Sequence, residues 1–269
     1  MIRANPMHST LMPPYTGIGA LRVATYNIHK GVRGLGLRKR LEIHNLGLAI
    51  EAFDADMVFL QEVRLFHTRE ARRFERTWFG WPEQGQAEFL APDGYDAAYR
   101  TNAVTRYGEH GNALLSRWPL GDIGHQDMSD HRFEQRGLLH VPVLWNGATV
   151  HAVVVHFGLS HGSRVRQVQR LADFIDAVVA PGEMLIVAGD FNDWGERLDQ
   201  PMAELGLNRA IAPASQHGRR ATFPSLAPVF ALDRFYLRGL ECRSTMVPRG
   251  IAWARMSDHL PLVAELEPA

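Results

Sequence analysis

The amino-acid sequence predicts an α+β fold of two packed, mainly antiparallel β-sheets, not a doubly wound parallel sheet. Strand-length apolar runs recur at 21–28, 57–61, 95–100, 111–116, 120–126, 137–145, 148–155, 184–189, 231–237, 241–247 and 260–266. Only 38–53 and 163–179 show extended helical spacing. Each parallel strand pair needs a crossover, so strands that outnumber helices this far must mostly pair antiparallel.

The strand at 21–28 leads into a glycine-rich turn, Gly31 to Gly36. The helix over 38–53 offers Leu41, Leu46, Leu48 and Ile50 as inward positions. Residues 68–78 are rich in arginine and glutamate and read as a solvated helix or loop. Pro82, Gly85, Pro92 and Gly94 mark 80–94 as an excursion. Asn146-Gly147 is a hairpin signal that makes 137–145 and 148–155 antiparallel neighbours. The helix over 163–179 takes Ser163 as its N-cap and turns Val165, Val168, Ala172, Ile175 and Val179 inward. A short helix is expected near 199–205.

A chain of 269 residues can bury its core without staples. No repeat or linker divides it, so 21–269 reads as a single domain preceded by a loose tail at 1–20, which carries Pro6, Pro13, Pro14, Gly17 and Gly19. The tail has no continuous apolar core of a secretory signal, and no run approaches the ~18 apolar residues of a membrane span, so a cytoplasmic enzyme is the simplest placement. Basic and acidic residues balance at 29 each, and no global field marks a nucleic-acid or membrane binder. Lys30 and Lys39 are the only lysines, a bias that reads as composition. Cys242, the single cysteine, excludes an intramolecular disulfide and a cysteine-based metal cluster.

The apolar runs end in polar groups. Leu21–Ala24 leads to Asn27, Met57–Leu60 to Glu62, Val153–Val155 to His156, and Met184–Ala188 to Asp190 and Asn192, while Asp258-His259 precedes Leu260. Such residues at neighbouring strand ends converge on one rim. The oxygen-rich set of Asn27, Glu62, Asp190, Asn192 and Asp258 suits Mg²⁺ or Mn²⁺, which bind one or two carboxylates, water and substrate phosphate. Zinc would call for a His or Cys cluster, and no H-E-x-x-H is present. A catalytic histidine needs an orienting carboxylate. Asp233 could serve His259, and Glu109 could serve His156. The chain holds no P-loop, dinucleotide fingerprint or G-x-S-x-G elbow.

Seven segments occur together in order: 25–31 (TYNIHKG), 56–63 (DMVFLQEV), 110–119 (HGNALLSRWP), 153–160 (VVVHFGLS), 187–193 (VAGDFND), 232–237 (LDRFYL) and 257–262 (SDHLPL). In this the chain resembles the endonuclease/exonuclease/phosphatase superfamily, the metal-dependent phosphoesterases with the DNase I fold, and most of all its small uncharacterised bacterial members. The resemblance implies a four-layer α/β sandwich and phosphoester hydrolysis dependent on Mg²⁺ or Mn²⁺. It implies that Glu62 and Asn27 hold the metal, with Asp258 a further ligand or a ligand through water. It makes Asp190 the residue that orients or deprotonates water, and has Asn192 hold a phosphate oxygen. His259 with Asp233 and His156 with Glu109 would act on the scissile phosphate, and Arg136 resembles a phosphate-contacting arginine. Nuclease action on DNA or RNA is the favoured reading. A phospholipid or sphingomyelin phosphodiesterase, an inositol or nucleotide phosphatase, and a non-catalytic binding module are the alternatives. A phosphate-ester substrate, possibly nucleic acid, is the only partner expected. The nucleic-acid reading draws on arginines at 69–76, 164–170 and 219–220, and the lipid reading on Trp78-Phe79-Gly80-Trp81.

Overall fold

The computed structural model describes residues 19–34, 36–75, 79–212 and 220–269, with Leu37 as backbone only. The expected tail, apart from Gly19 and Ala20, lies outside these residues, as do Arg76, Trp78 and Arg219.

Numbered in chain order, the first sheet runs β13 (Leu240–Met246), β14 (Leu262–Pro268), β1 (Leu21–Asn27), β4 (Met57–His67), β6 (Gly108–Ser116) and β5 (Asp96–Thr105). The second runs β11 (Asn208–Arg209), β12 (Asp233–Arg238), β10 (Met184–Asp190), β9 (Ala148–His156), β8 (Gly137–Trp145) and β7 (Gly124–Asp127). A small ribbon pairs β2 (Val32–Arg33) with β3 (Arg40–Leu41). Each large sheet has one parallel pair at its centre, β1 with β4 and β9 with β10. Their crossovers carry α1 (Ile43–Phe53) and α4 (His161–Val178), and the remaining pairings are antiparallel.

Both faces of the central strands are covered, which explains why they read as unbroken apolar runs. Val23, Met57 and Phe59 meet Val141, Val154, Ile186 and Phe235 between the sheets. Ala24, Val58 and Leu60 face outward to Leu46, Ile50 and Phe53 of α1. Val153, Val155 and Val187 pack on Val168, Leu171 and Ile175 of α4. The result is four layers in the order helix, sheet, sheet, helix, as expected. No helix among the described residues is long and apolar enough to cross a membrane.

Several boundaries differ from the sequence reading. The first helix starts at Ile43, after a 3₁₀ turn at Gly36–Arg38 and β3. Leu48 is 68% exposed, because the buried stripe runs through Ile43, Leu46, Ala49, Ile50 and Phe53. Val165 is likewise exposed, and Leu171 takes its place inward. Ser160, not Ser163, caps α4, accepting from the Ser163 amide at 3.1 Å. Asn146 and Gly147 both take positive φ, 49° and 83°, and close the predicted hairpin between Trp145 and Ala148. The 68–78 and 80–94 stretches contain α2 (Thr68–Phe74) and α3 (Gln86–Leu90), and α5 spans Asp199–Glu204. The last helix, α6 (Ile251–Met256), was not foreseen in the sequence.

Candidate active site

Strand alternation carries the inter-sheet face onto one rim. The face that buries Val23, Val154, Ala188 and Phe235 continues to Asn27, His156, Asp190 and Asp233 at the ends of β1, β9, β10 and β12. Asp190 is in register with His156 on one side and Asp233 on the other. Gly189 permits this approach, since a Cβ there would lie 1.9 Å from the Val155 carbonyl oxygen. Glu62 reaches the rim by a different device. Unbroken alternation would send it outward with Leu60, but β4 bulges between Leu60 and Val63, and Glu62 sits at φ 58°.

Asp190 is the hub. Its Oδ1 accepts from the Asn192 amide at 2.9 Å, and its Oδ2 accepts from Asn27 Nδ2 at 3.1 Å, joining the two sheets. The Nε2 atoms of His156 and His259 lie 3.5 and 3.6 Å from that same Oδ2. Burial pushes the Asp190 carboxyl up to about 6, with Asp233 adding to the effect and His259 opposing it. For His259, burial disfavours the proton, but Asp233 and Asp190 outweigh it and raise the ring to about 10. Its Nδ1 lies 2.8 Å from Asp233 Oδ2, so with Asp233 as acceptor a proton at Nε2 faces Asp190. His156 is held well below the usual histidine range by burial and by Arg136. The rim thus pairs a cationic imidazole with a neutral one over a carboxylate poised near neutrality.

Glu62 and Asp258 flank this hub and share His29, whose Nδ1 is 3.9 Å from Glu62 Oε2 and 3.2 Å from Asp258 Oδ1. Lys30 Nζ lies 2.9 Å from Glu62 Oε2. Burial alone would raise the Glu62 carboxyl, but Lys30 and the neighbouring imidazoles hold it well below the carboxylate range. Asp258 is pushed down to about 2, the bond from His29 overcoming burial. Both groups are therefore ionised. Among the described residues no three His, Cys, Asp or Glu side chains form a ready-made cage, which a zinc site would require. Two ionised carboxylates beside the Asn27 amide fit a hard divalent ion that keeps water and substrate oxygens as its other ligands.

Asn192, at φ 47°, donates from Nδ2 to the Phe157 carbonyl at 3.0 Å. Arg136 reaches the same carbonyl through Nε at 3.2 Å and pairs with Glu134. The expected pairing of Glu109 with His156 does not form. On β6, Glu109 shares its face with Ala113 and Leu115, which point to the outer core, and its carboxylate accepts from Thr101 at 2.9 Å. Its neighbour His110 has the inward position, with Lys30, Glu62 and Arg136 around it, and burial pushes its ring down to about 4. His110, His29 and Lys30 were all inside the quoted segments and were passed over. Parity with Leu114 would have exposed His110. Thr222, which donates to Asp233 Oδ2 at 2.5 Å, and Phe223, 4.9 Å from the His259 ring, come from an irregular segment with no sequence signal. The arginines of α4 do not form a free basic patch. Arg164 and Arg170 bond backbone carbonyls, and Arg166 pairs with Asp130.

Two packed six-stranded sheets with these residues on their shared rim belong to a class of phosphoester hydrolases. The chain is a member of the Endonuclease/Exonuclease/phosphatase family, whose model matches residues 24–259. It is 36% identical over 260 residues to the uncharacterised protein YbhP of Escherichia coli (strain K12), covering 95% of this chain and 99% of that one. Among solved structures it is similar to an endonuclease/exonuclease/phosphatase from Bacteroides vulgatus, with TM-score 0.69, 18% identity and coverage of 93% and 99%. The human Nocturnin catalytic domain with bound sulfate anion gives TM-score 0.66, 22% identity and coverage of 93% and 94%.

Proposed function

We propose that this protein is a divalent-metal-dependent phosphodiesterase that acts on nucleic acid. The observation that carries the reading is the convergence of two imidazole Nε2 atoms on one Asp190 oxygen, beside the ionised pair Glu62 and Asp258. Asn27, Glu62 and Asp258 would hold the ion, which when bound stabilises charge on the phosphoryl oxygens. Asp190 orients the attacking water and takes its proton. His259 holds a proton at Nε2 and presents it to the developing charge, with Asp233 fixing the ring. Asn192 and Arg136 contact the non-bridging oxygens, and His156 lies across the phosphate from His259.

Support for nucleic acid comes from a cleft of about 750 Å³ that opens beside Arg136 and His110. Phe133 stands 82% exposed there, next to Arg132 and His131. An exposed ring beside Arg132 and Arg136 suits a stacked base and its phosphates. The test is Mg²⁺-dependent, EDTA-sensitive cleavage of plasmid DNA, single-stranded DNA and RNA, with binding measured against salt. Turnover confined to lipid or inositol phosphates would overturn the nuclease reading, as would binding indifferent to salt.

One observation favours a phospholipid substrate instead. Exposed Leu48 and Ile251 border a cleft of about 700 Å³ between α1 and α6, with Arg249 and Arg255 beside it. Hydrolysis of anionic phospholipid in vesicles, with nucleic acid untouched, would select that reading.

A further inference from the structure

A second, smaller pocket of about 290 Å³ adjoins the catalytic rim on the side of β4 and β6. His29 and Lys30, which touch the Glu62 and Asp258 carboxylates, form one of its walls, and His110 forms another. Arg64, Lys39 and His67 also line it.

Arg64 is the unusual member. It lies two residues beyond the Glu62 bulge, is only 6% exposed, and packs its guanidinium 5.7 Å from the Trp81 ring centre. Its Nη1 is buried and has no hydrogen-bond partner among the described residues. Leaving a buried charged donor unmatched is costly, and proteins seldom do so without a reason. The carboxylates that act on Arg64 are Glu70 and Glu62, and each is tied to a lysine, Glu70 to Lys39 and Glu62 to Lys30. Glu109, the carboxylate in the lining, is bonded to Thr101. His67 Nδ1 accepts from the Glu70 amide at 3.1 Å, so its neutral ring carries a donor at Nε2.

The pocket therefore gathers donors around a small volume, and Glu109, the one carboxylate in its lining, is bonded to Thr101. Its missing component is a compact anion with several acceptor oxygens, which describes a phosphoryl group. The pocket shares Lys30 and His29 with the rim, so an anion held there would adjoin the Glu62 and Asp258 carboxylates.

We propose that this pocket binds a second phosphoryl group of the substrate, with Arg64 as its principal contact, so that doubly phosphorylated substrates are selected over singly phosphorylated ones. The proposal rests on the phosphoesterase reading. Its test compares thymidine 5′-(p-nitrophenyl phosphate) with the same ester carrying a 3′-phosphate, using the wild type, Arg64→Gln and Lys39→Gln. Pyrophosphate binding is measured calorimetrically in EDTA, where no divalent ion can bridge. The wild type is expected to favour the doubly phosphorylated ester at least tenfold in kcat/KM, with the ratio falling to about one in Arg64→Gln. Should Arg64→Gln fail to fold by circular dichroism, Lys39→Gln makes the same comparison with a several-fold fall.

Equal kcat/KM for the two esters in the wild type overturns the subsite and leaves the phosphoesterase reading intact. A preference that persists undiminished in the folded variants also overturns it. If neither ester is hydrolysed, it is the phosphoesterase reading that fails, and pyrophosphate decides the pocket. Binding by the wild type that weakens at least tenfold in the folded variants then supports the anion site, and any other result rejects it.

Discussion

The loop that carries Asp190 and Asn192 is tied down by a buried ion pair, and removing its cation should cost far more than a surface charge would. Arg234 and Asp193 are both fully buried, with Nη1 2.9 Å from Oδ2. Arg234 also donates to the Asp193 carbonyl at 2.8 Å, the Tyr236 hydroxyl at 3.0 Å and the Ala231 carbonyl at 2.9 Å. Arg234→Met keeps the bulk of the side chain but leaves these acceptors and two carboxylates, Asp193 and the more distant Asp199, without this donor. Breaking a buried pair from one side typically costs 3–5 kcal/mol. Asp193 keeps the Leu198 amide at 2.9 Å and has Arg164 Nε at 3.9 Å, so the carboxylate is not wholly abandoned. A loss of about 3–4 kcal/mol follows. For a chain of this size each kcal/mol moves Tm by about 2–4 °C, so Tm should fall by about 6–16 °C in a calorimetric scan. Adding Asp193→Leu should recover part of the loss, because the stranded charge is removed. A single variant within about 1 kcal/mol of wild type, or a double variant less stable than the single, would refute the reasoning.

Three further outcomes are expected. Asp190→Ala and His259→Ala should each lower phosphodiester turnover by about 10²–10⁴ with circular dichroism unchanged, and near-normal turnover by either would remove it from the catalytic set. Glu62→Gln should raise the Mg²⁺ concentration needed for half-maximal activity, and a superimposable titration would argue against a ligand role. Burial and His151 push His140 down to about 4, so it is neutral in the fold while the unfolded chain takes up a proton near 6.5. Stability should then fall as pH drops from about 6.5 to 4, by on the order of 2 kcal/mol after allowance for solvent screening. Urea midpoints should follow this trend, and His140→Leu should lessen it without abolishing it, since His110 and His156 are depressed in the same sense. An equal slope in that variant would place the effect elsewhere.

Much of the rim could be read from the sequence, because the principle that places it is simple. Asn27, His156, Asp190 and Asp233 each stand at the limit of an apolar run, and parity alone brings them to the inter-sheet side. The match of Asp233 to His259 rests on a histidine's need for an orienting carboxylate, and the carboxylate Oδ2 lies 2.8 Å from the ring Nδ1. Parity also explains the failure at Glu109. A one-residue slip moves a side chain to the opposite face, and His110 holds the inward position. Glu62 follows the run Met57–Leu60 in the sequence, but only the bulge turns it to the rim. Helix faces went astray at Leu48 and Val165, where aliphatic character was mistaken for inward direction. The arginine-rich face of α4 suggested a nucleic-acid footprint, yet its side chains spend their donors on neighbouring loops. Thr222 and Phe223 could not have been found, because long-range folding of an irregular stretch brings them to His259.

The pairing of β1 with β14 reaches beyond architecture. Leu21 lies opposite Leu266, so the strand that follows Asp258 and His259 docks directly on the one that leads to Asn27. The Ser257 hydroxyl fastens this junction to the Asn27 carbonyl at 2.6 Å. During translation, β1 emerges early and waits with an open edge until nearly every other element has been made. A chain shortened before Asp258, and so without β14, would therefore leave the β1 edge unpaired and the rim without Asp258 and His259.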